Sequence, residues 1–174
     1  MSVLESQPQT LNLASELNFQ FILQRAPSVS YFCQEFTIPD VGLPSARVPT
    51  PSRLIPFVGD HMVFENLSLT FKIDEDLQNY LEIFNWMHAI GNPNNTGTQY
   101  TQLEKNKDYS GYGIYSDIQV FTLDTQKQTK YVVTFKHCSP ISLTGPKYTT
   151  KNPSVNYMPS TVIFAYTDFS FNLP

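Results

Sequence analysis

The run that most limits how this chain can fold is Met62–Met87, MVFENLSLTFKIDEDLQNYLEIFNWM, where the hydrophobic period changes once. Leu67, Leu69, Phe71 and Ile73 alternate with Ser68, Thr70 and Lys72, the period of a strand with one buried face. Beyond Asp74-Glu75-Asp76 the residues Leu77, Tyr80, Leu81, Phe84 and Met87 recur at helical spacing. That spacing predicts a helix over about residues 75–90 packing these five side chains on a sheet. Asp74 reads as its N-cap, with Glu75 and Asp76 where the helix dipole favours negative charge. Almost everything else in the chain has a strand pattern. The fold class is therefore mainly β (α+β), a barrel or sandwich with one flanking helix.

A length of 174 residues fits a single domain with a real core. Charged residues make up only 15%, so the surface is uncharged polar or partly covered by partners. A net charge of -4, with no Lys/Arg run and only the interrupted patch Lys105, Lys107, argues against a free nucleic-acid-binding domain. The first twenty residues lack the basic start and apolar core of a secretory signal. No apolar run reaches membrane-spanning length. Cys33 and Cys138 fall in strand-like runs and read as buried free thiols, since nothing announces an oxidising compartment.

Residues 1–16 are polar and read as an N-terminal arm that is mobile or ordered by a partner. Strands are expected at Asn18–Gln24 and Tyr31–Ile38, with Ala26-Pro27-Ser28 as the turn between them. The segment Pro39–Gly59 then carries five prolines, Pro39, Pro44, Pro49, Pro51 and Pro56, which rule against a helix or a regular central strand. It also holds Val41, Leu43, Val48, Leu54, Ile55, Phe57 and Val58, too much apolar surface for a solvated linker. It is either an irregular excursion folded on its own sheet or a stiffened arm laid on a neighbouring subunit. Residues 91–115 read as a long polar loop rich in Gly, Asn, Thr and Tyr. Further strands are expected at Ile118–Leu123 and Tyr131–His137, a short one within Pro140–Tyr148, and a last one over Ser160–Phe171.

No catalytic constellation emerges. His61, His88 and His137 stand apart from Cys or carboxylates at metal-ligand spacing. His137 and Cys138 are strand neighbours and so point to opposite faces. The Asp74–Asp76 cluster is explained as a helix start. There is no phosphate-binding glycine loop and no G-x-S-x-G turn. Trp86 reads as core. Catalytic, cofactor and metal sites are all expected to be absent.

These segments together resemble the tail-completion and sheath-stabiliser proteins (tail terminators) of T-even-type contractile-tailed bacteriophages. The resemblance rests on I-P-x-[VI]-x-[LI]-P at Ile38–Pro44, F-x-x-L-x-[VL]-x-F-x-[IV]-D-E-[DE]-L at Phe64–Leu77, and aromatic-x-W-M at Phe84–Met87. The Leu123-Asp124 turn, Pro140-Ile141-Ser142-Leu143 and the aromatic last strand continue it in order along the chain. It implies a tail-tube-like barrel assembled as a hexameric ring that ends the tail tube and stabilises the sheath and neck junction. The implied partners are further copies of the chain, tail tube and sheath proteins, and neck proteins. DNA would pass through the channel without sequence-specific binding, and the place of action would be the virion tail, after synthesis in the host cytoplasm. Carried over by position, Val48, Leu54, Ile55, Phe57 and Val58 would lie on the subunit interface.

Related sheet-plus-helix proteins build the repeating tube or its baseplate end, and these motifs do not separate the three roles. A reading from another class is a monomeric β-sandwich module that binds glycans through the Tyr-rich loop at residues 91–115.

Overall fold

The computed structural model describes residues 12–91, 113–151 and 156–173. Among these residues eleven strands and two helices follow in the order β1 (Phe19–Leu23), α1 (Pro27–Tyr31), β2 (Cys33–Thr37), β3 (Val41–Gly42), β4 (Ser45–Pro49), β5 (Leu54–Val58), β6 (Val63–Phe64), β7 (Leu67–Lys72), α2 (Gln78–Gly91), β8 (Ser116–Leu123), β9 (Thr129–Leu143), β10 (Pro159–Ala165) and β11 (Asp168–Asn172). The main sheet is antiparallel in the order β1-β8-β9-β10-β7-β2, with β11 beside β9.

Alternation decides which side chains reach the interior. Leu67, Leu69 and Phe71 of β7 face Val162 and Phe164 of β10, Ile118 and Val120 of β8, and Val133 and Phe135 of β9, all fully buried. This is the mainly β barrel or sandwich that the sequence predicts.

The fifteen-residue β9 makes the barrel turn its corner. Its first half pairs with β8 and β11, its second half with β10. Between them His137 sits at φ 54 and the register with β8 shifts, the mark of a bulge that bends a strand. The sequence pattern separates Tyr131–His137 from a short strand after Pro140; the bulge fuses them. The last segment departs in the opposite sense. Ser160–Phe171 is two strands, β10 and β11, which pair with different halves of β9.

Two further expectations are corrected locally. Tyr31 ends a five-residue helix, α1, instead of opening β2, because Pro27 supplies a fixed φ at the helix start. Ser30 Oγ then accepts the Leu23 N–H at 2.8 Å. Asp74 does not cap α2 directly. Asp74–Leu77 forms a turn closed by Leu77 N–H to Asp74 O at 3.1 Å, Leu77 takes φ 58, and α2 begins at Gln78 with no acid in its first turn. The fully buried Asn79 ties the helix to the sheet by donating Nδ2–H to the Lys72 carbonyl at 2.7 Å.

The start at Gln78 rotates the buried face of α2. Ile83 and Trp86 enter the core, with Leu77, Tyr80 and Met87 packed at its margin. Leu81 and Phe84 remain 44% and 45% exposed, so two of the five residues expected to pack on the sheet do not. Trp86 is core, as expected. Its indole N–H reaches the Ile114 carbonyl at 2.9 Å, and the Arg25 guanidinium lies 4.8 Å from its ring centre.

Candidate subunit interface

Most of the proline-rich segment is regular and lies outside the core. Ser45–Pro49 and Leu54–Val58 form a two-stranded antiparallel ribbon with the register Ser45↔Val58, Ala46↔Phe57, Arg47↔Pro56, Val48↔Ile55, Pro49↔Leu54. The turn is closed by Thr50 N–H to Arg53 O at 3.0 Å, while Thr50 Oγ1 accepts the Arg53 N–H at 3.3 Å.

That closing bond explains why the ribbon tolerates its prolines. Antiparallel partners alternate between hydrogen-bonded and non-bonded pairs. Counting back from Thr50/Arg53, the Pro49/Leu54 and Arg47/Pro56 pairs are non-bonded, so Pro49 and Pro56 sit where an N–H would point outward. No ladder bond is lost. The same prolines blunt both outer edges of the ribbon against further strand pairing.

Directly opposed residues share a face. One face is therefore Ala46, Val48, Ile55 and Phe57, apolar throughout; the other is Ser45, Arg47, Pro49, Leu54, Pro56 and Val58, a mixed one. Of the five residues assigned to a subunit interface, Val48, Ile55 and Phe57 share the apolar face, and Leu54 and Val58 lie opposite. Phe57 is 54% exposed, Val48 45%, Leu54 57% and Val58 80%; Ile55 is half-buried.

The ribbon contributes nothing to the buried core. It is set by its base instead. Glu65 N–H bonds the Asp40 carbonyl at 3.1 Å, β3 pairs with β6, Phe64 meets Phe169 edge-on at 5.6 Å, and Tyr166 donates its hydroxyl to the Glu65 carbonyl at 2.8 Å. Around it Val41, Leu43, Met62 and Val63 are also exposed. A stiff arm with one wholly apolar face, held at its root and uncovered along its length, can hide that face only against another surface.

Among the described residues the titratable groups offer no competing site. Burial pushes the Cys33 and Cys138 thiols up to about 12, leaving them protonated and inert at neutral pH. His137 faces the Tyr115 ring, whereas the Cys138 side chain is fully buried. Among the described residues no group of three His, Cys, Asp or Glu could hold a metal ion. The Tyr-rich loop invoked for glycan binding falls almost wholly at 92–112, outside the described residues. No described helix is long and apolar enough to cross a membrane.

No protein-family model matches this sequence. A search of curated proteins also finds no match. Solved structures do share the fold. A chain from the sheath–tube complex of an extracellular contractile injection system, PVC, in its extended state aligns with TM-score 0.63 at 10% identity, over 94% of both chains. The tube-terminating cap of the anti-feeding prophage aligns with TM-score 0.63 at 9% identity, over 100% of both. The PVC sheath/tube terminator aligns with TM-score 0.62 at 9% identity, over 94% of this chain and 99% of that one. The chain thus has the fold found in tube and terminator proteins of contractile systems.

Proposed function

We propose that this protein is a structural component of a contractile tail or injection particle, which assembles through its β4–β5 arm into a closed ring terminating the tube. The ring is a hexamer whose channel lets DNA pass without sequence-specific contacts, and its rims meet the tube, the sheath and the neck proteins of a phage virion. The observation that carries this reading is the apolar face Ala46, Val48, Ile55, Phe57, rooted in the barrel but uncovered by it. The fold is the one found in tube-end proteins, and the cap it aligns with is spanned over the full length of both chains. Low charge and two thiols held protonated by burial agree with assembly rather than turnover. The repeating tube subunit is the second reading, since a chain of a sheath–tube complex aligns equally well.

Sedimentation and negative-stain imaging of the purified chain test the assembly. Wild type should form rings, while Phe57→Asp and Ile55→Asp should each remain a folded monomer. Rings from both variants would remove the arm from the interface. Copy number in purified particles then separates the roles: one ring per tail for a terminator, many for a tube subunit.

A further inference from the structure

We infer that the arm's receptor is the cleft between the free edges of β1 and β2, so that each subunit inserts its β4–β5 ribbon into the next copy of the chain. This rests on the ring reading above and adds the surface that receives the arm.

Among the described residues, β1 and β2 end the main sheet, each hydrogen-bonded on one side only, and no ladder joins them. The seam is bridged by the Phe19 and Phe36 rings at 5.2 Å. Beside that contact lies a cleft of about 690 Å³, lined among others by Leu17, Phe19, Ile22, Tyr31, Cys33 and Gln34. Leu17 and Tyr31 are each 84% exposed, so the cleft carries apolar surface that its own chain leaves uncovered. The ribbon's prolines forbid continuous edge pairing, so it must dock by a face. Ala46, Val48, Ile55 and Phe57 present the apolar face that such a cleft would cover.

Charge points to the same partner. From Ser45 to Val58 the ribbon carries Arg47 and Arg53 and no acid. The stretch that builds the cleft is flanked by exposed Glu16 and Glu35. Of the cations beside it, Arg25 is turned away over Trp86 and Lys127 is held on Asn18 Oδ1 at 2.7 Å. A cationic arm with one apolar face and an acid-flanked cleft of mixed apolar and polar lining, at different places on one subunit, make a head-to-tail contact, the kind that closes into rings.

Paired cysteines test this in the full chain. In a Cys33→Ser background, Tyr31→Cys or Leu17→Cys is combined with Phe57→Cys and mildly oxidised. At least one pair should give a ladder on non-reducing gels that ends at the ring size and collapses to monomer on reduction, whereas each single cysteine should stop at dimers. As a second arm, Glu16→Arg with Glu35→Arg should raise the protein concentration needed for assembly roughly tenfold or more, and adding Arg47→Glu with Arg53→Glu should reverse it. Rings that form normally yet give no ladder and no charge-swap rescue would overturn the receptor while leaving the ring reading intact. A wild-type chain monomeric at every concentration would overturn both.

Discussion

Gly59 lies so close to Pro44 that a Cβ placed on it would meet the Pro44 carbonyl oxygen at 2.1 Å. The two residues sit at the root of the β4–β5 ribbon, Pro44 just before β4 and Gly59 just after β5, and their approach sets the angle at which the ribbon leaves the barrel. The obstacle is backbone, so it cannot rotate aside.

Gly59→Ala should therefore cost about 1–3 kcal/mol locally, by forcing the ribbon root apart. Because the ribbon adds nothing to the core, hydrogen exchange in β7 to β10 should stay unchanged while exchange in the ribbon accelerates. Ring formation should fall in parallel. A variant that assembles like wild type would show that the arm's angle is not fixed at this contact.

The rotation of α2 reverses the outcome that its helical period predicts for the two faces. Ile83→Ala removes a fully buried side chain and should cost about 2–5 kcal/mol. Leu81→Ala and Phe84→Ala act on side chains nearly half exposed and should cost about 1 kcal/mol or less. Phe84 does stack on Tyr80 and His88, at 6.4 and 5.8 Å, which places it at the upper end of that range. Urea midpoints of the three variants check the order; equal losses would refute the rotated face.

The difference between period and burial marks how far the sequence could be read. Alternation from Leu67 to Ile73 fixed one face of β7 because each of those side chains meets a continuous layer across the sheet. Helical periodicity located α2 but not its rotation, because apolar residues lie on both of its faces: Ile83, roughly 200° on from Leu81, is outside the stripe of Leu77, Tyr80, Leu81, Phe84 and Met87. What chose between them was the left-handed Leu77 and the Asn79–Lys72 tie, a backbone event and a long-range hydrogen bond that no period encodes. The same holds for the His137 bulge, which joined two strand patterns into β9. The prolines of the arm were legible as excluding a central strand. That they permit a ribbon depends on the bonded or non-bonded alternation, which follows from the turn at Thr50–Arg53 and is invisible without the register.

Trp86 separates packing from hydrogen bonding. Trp86→Phe keeps most of the ring but strands the Ile114 carbonyl, and should cost about 1–3 kcal/mol. Trp86→Ala also opens a cavity beside Phe164, whose ring centre is 6.0 Å away, and should cost about 3–5 kcal/mol. Chemical denaturation of both variants measures the gap. Indistinguishable losses would mean the indole N–H does the larger share of the work.

Asp124 gives the fold a dependence on pH whose sign is fixed by its turn. Its carboxylate accepts the Gln128 N–H at 3.0 Å and the Gln126 N–H at 2.7 Å, with Lys130 Nζ at 3.5 Å. The Gln128 bond above all holds its carboxyl below the ordinary value of 3.8; desolvation opposes it next in size, and the Gln126 bond and the Lys130 charge add to the lowering. A carboxyl depressed in the folded state stabilises it above the ordinary value and loses that contribution as pH falls through the folded one. Asp124→Asn should therefore lower the urea midpoint at pH 7, and wild type and variant should converge as pH drops below 3.8. The hairpin from β8 to β9 turns on this residue, with Lys127 at φ 63 completing it, so amide exchange at Gln126 and Gln128 should rise in the variant at neutral pH. A midpoint difference that persists unchanged into acid would assign the effect to shape at the turn, not to the charge.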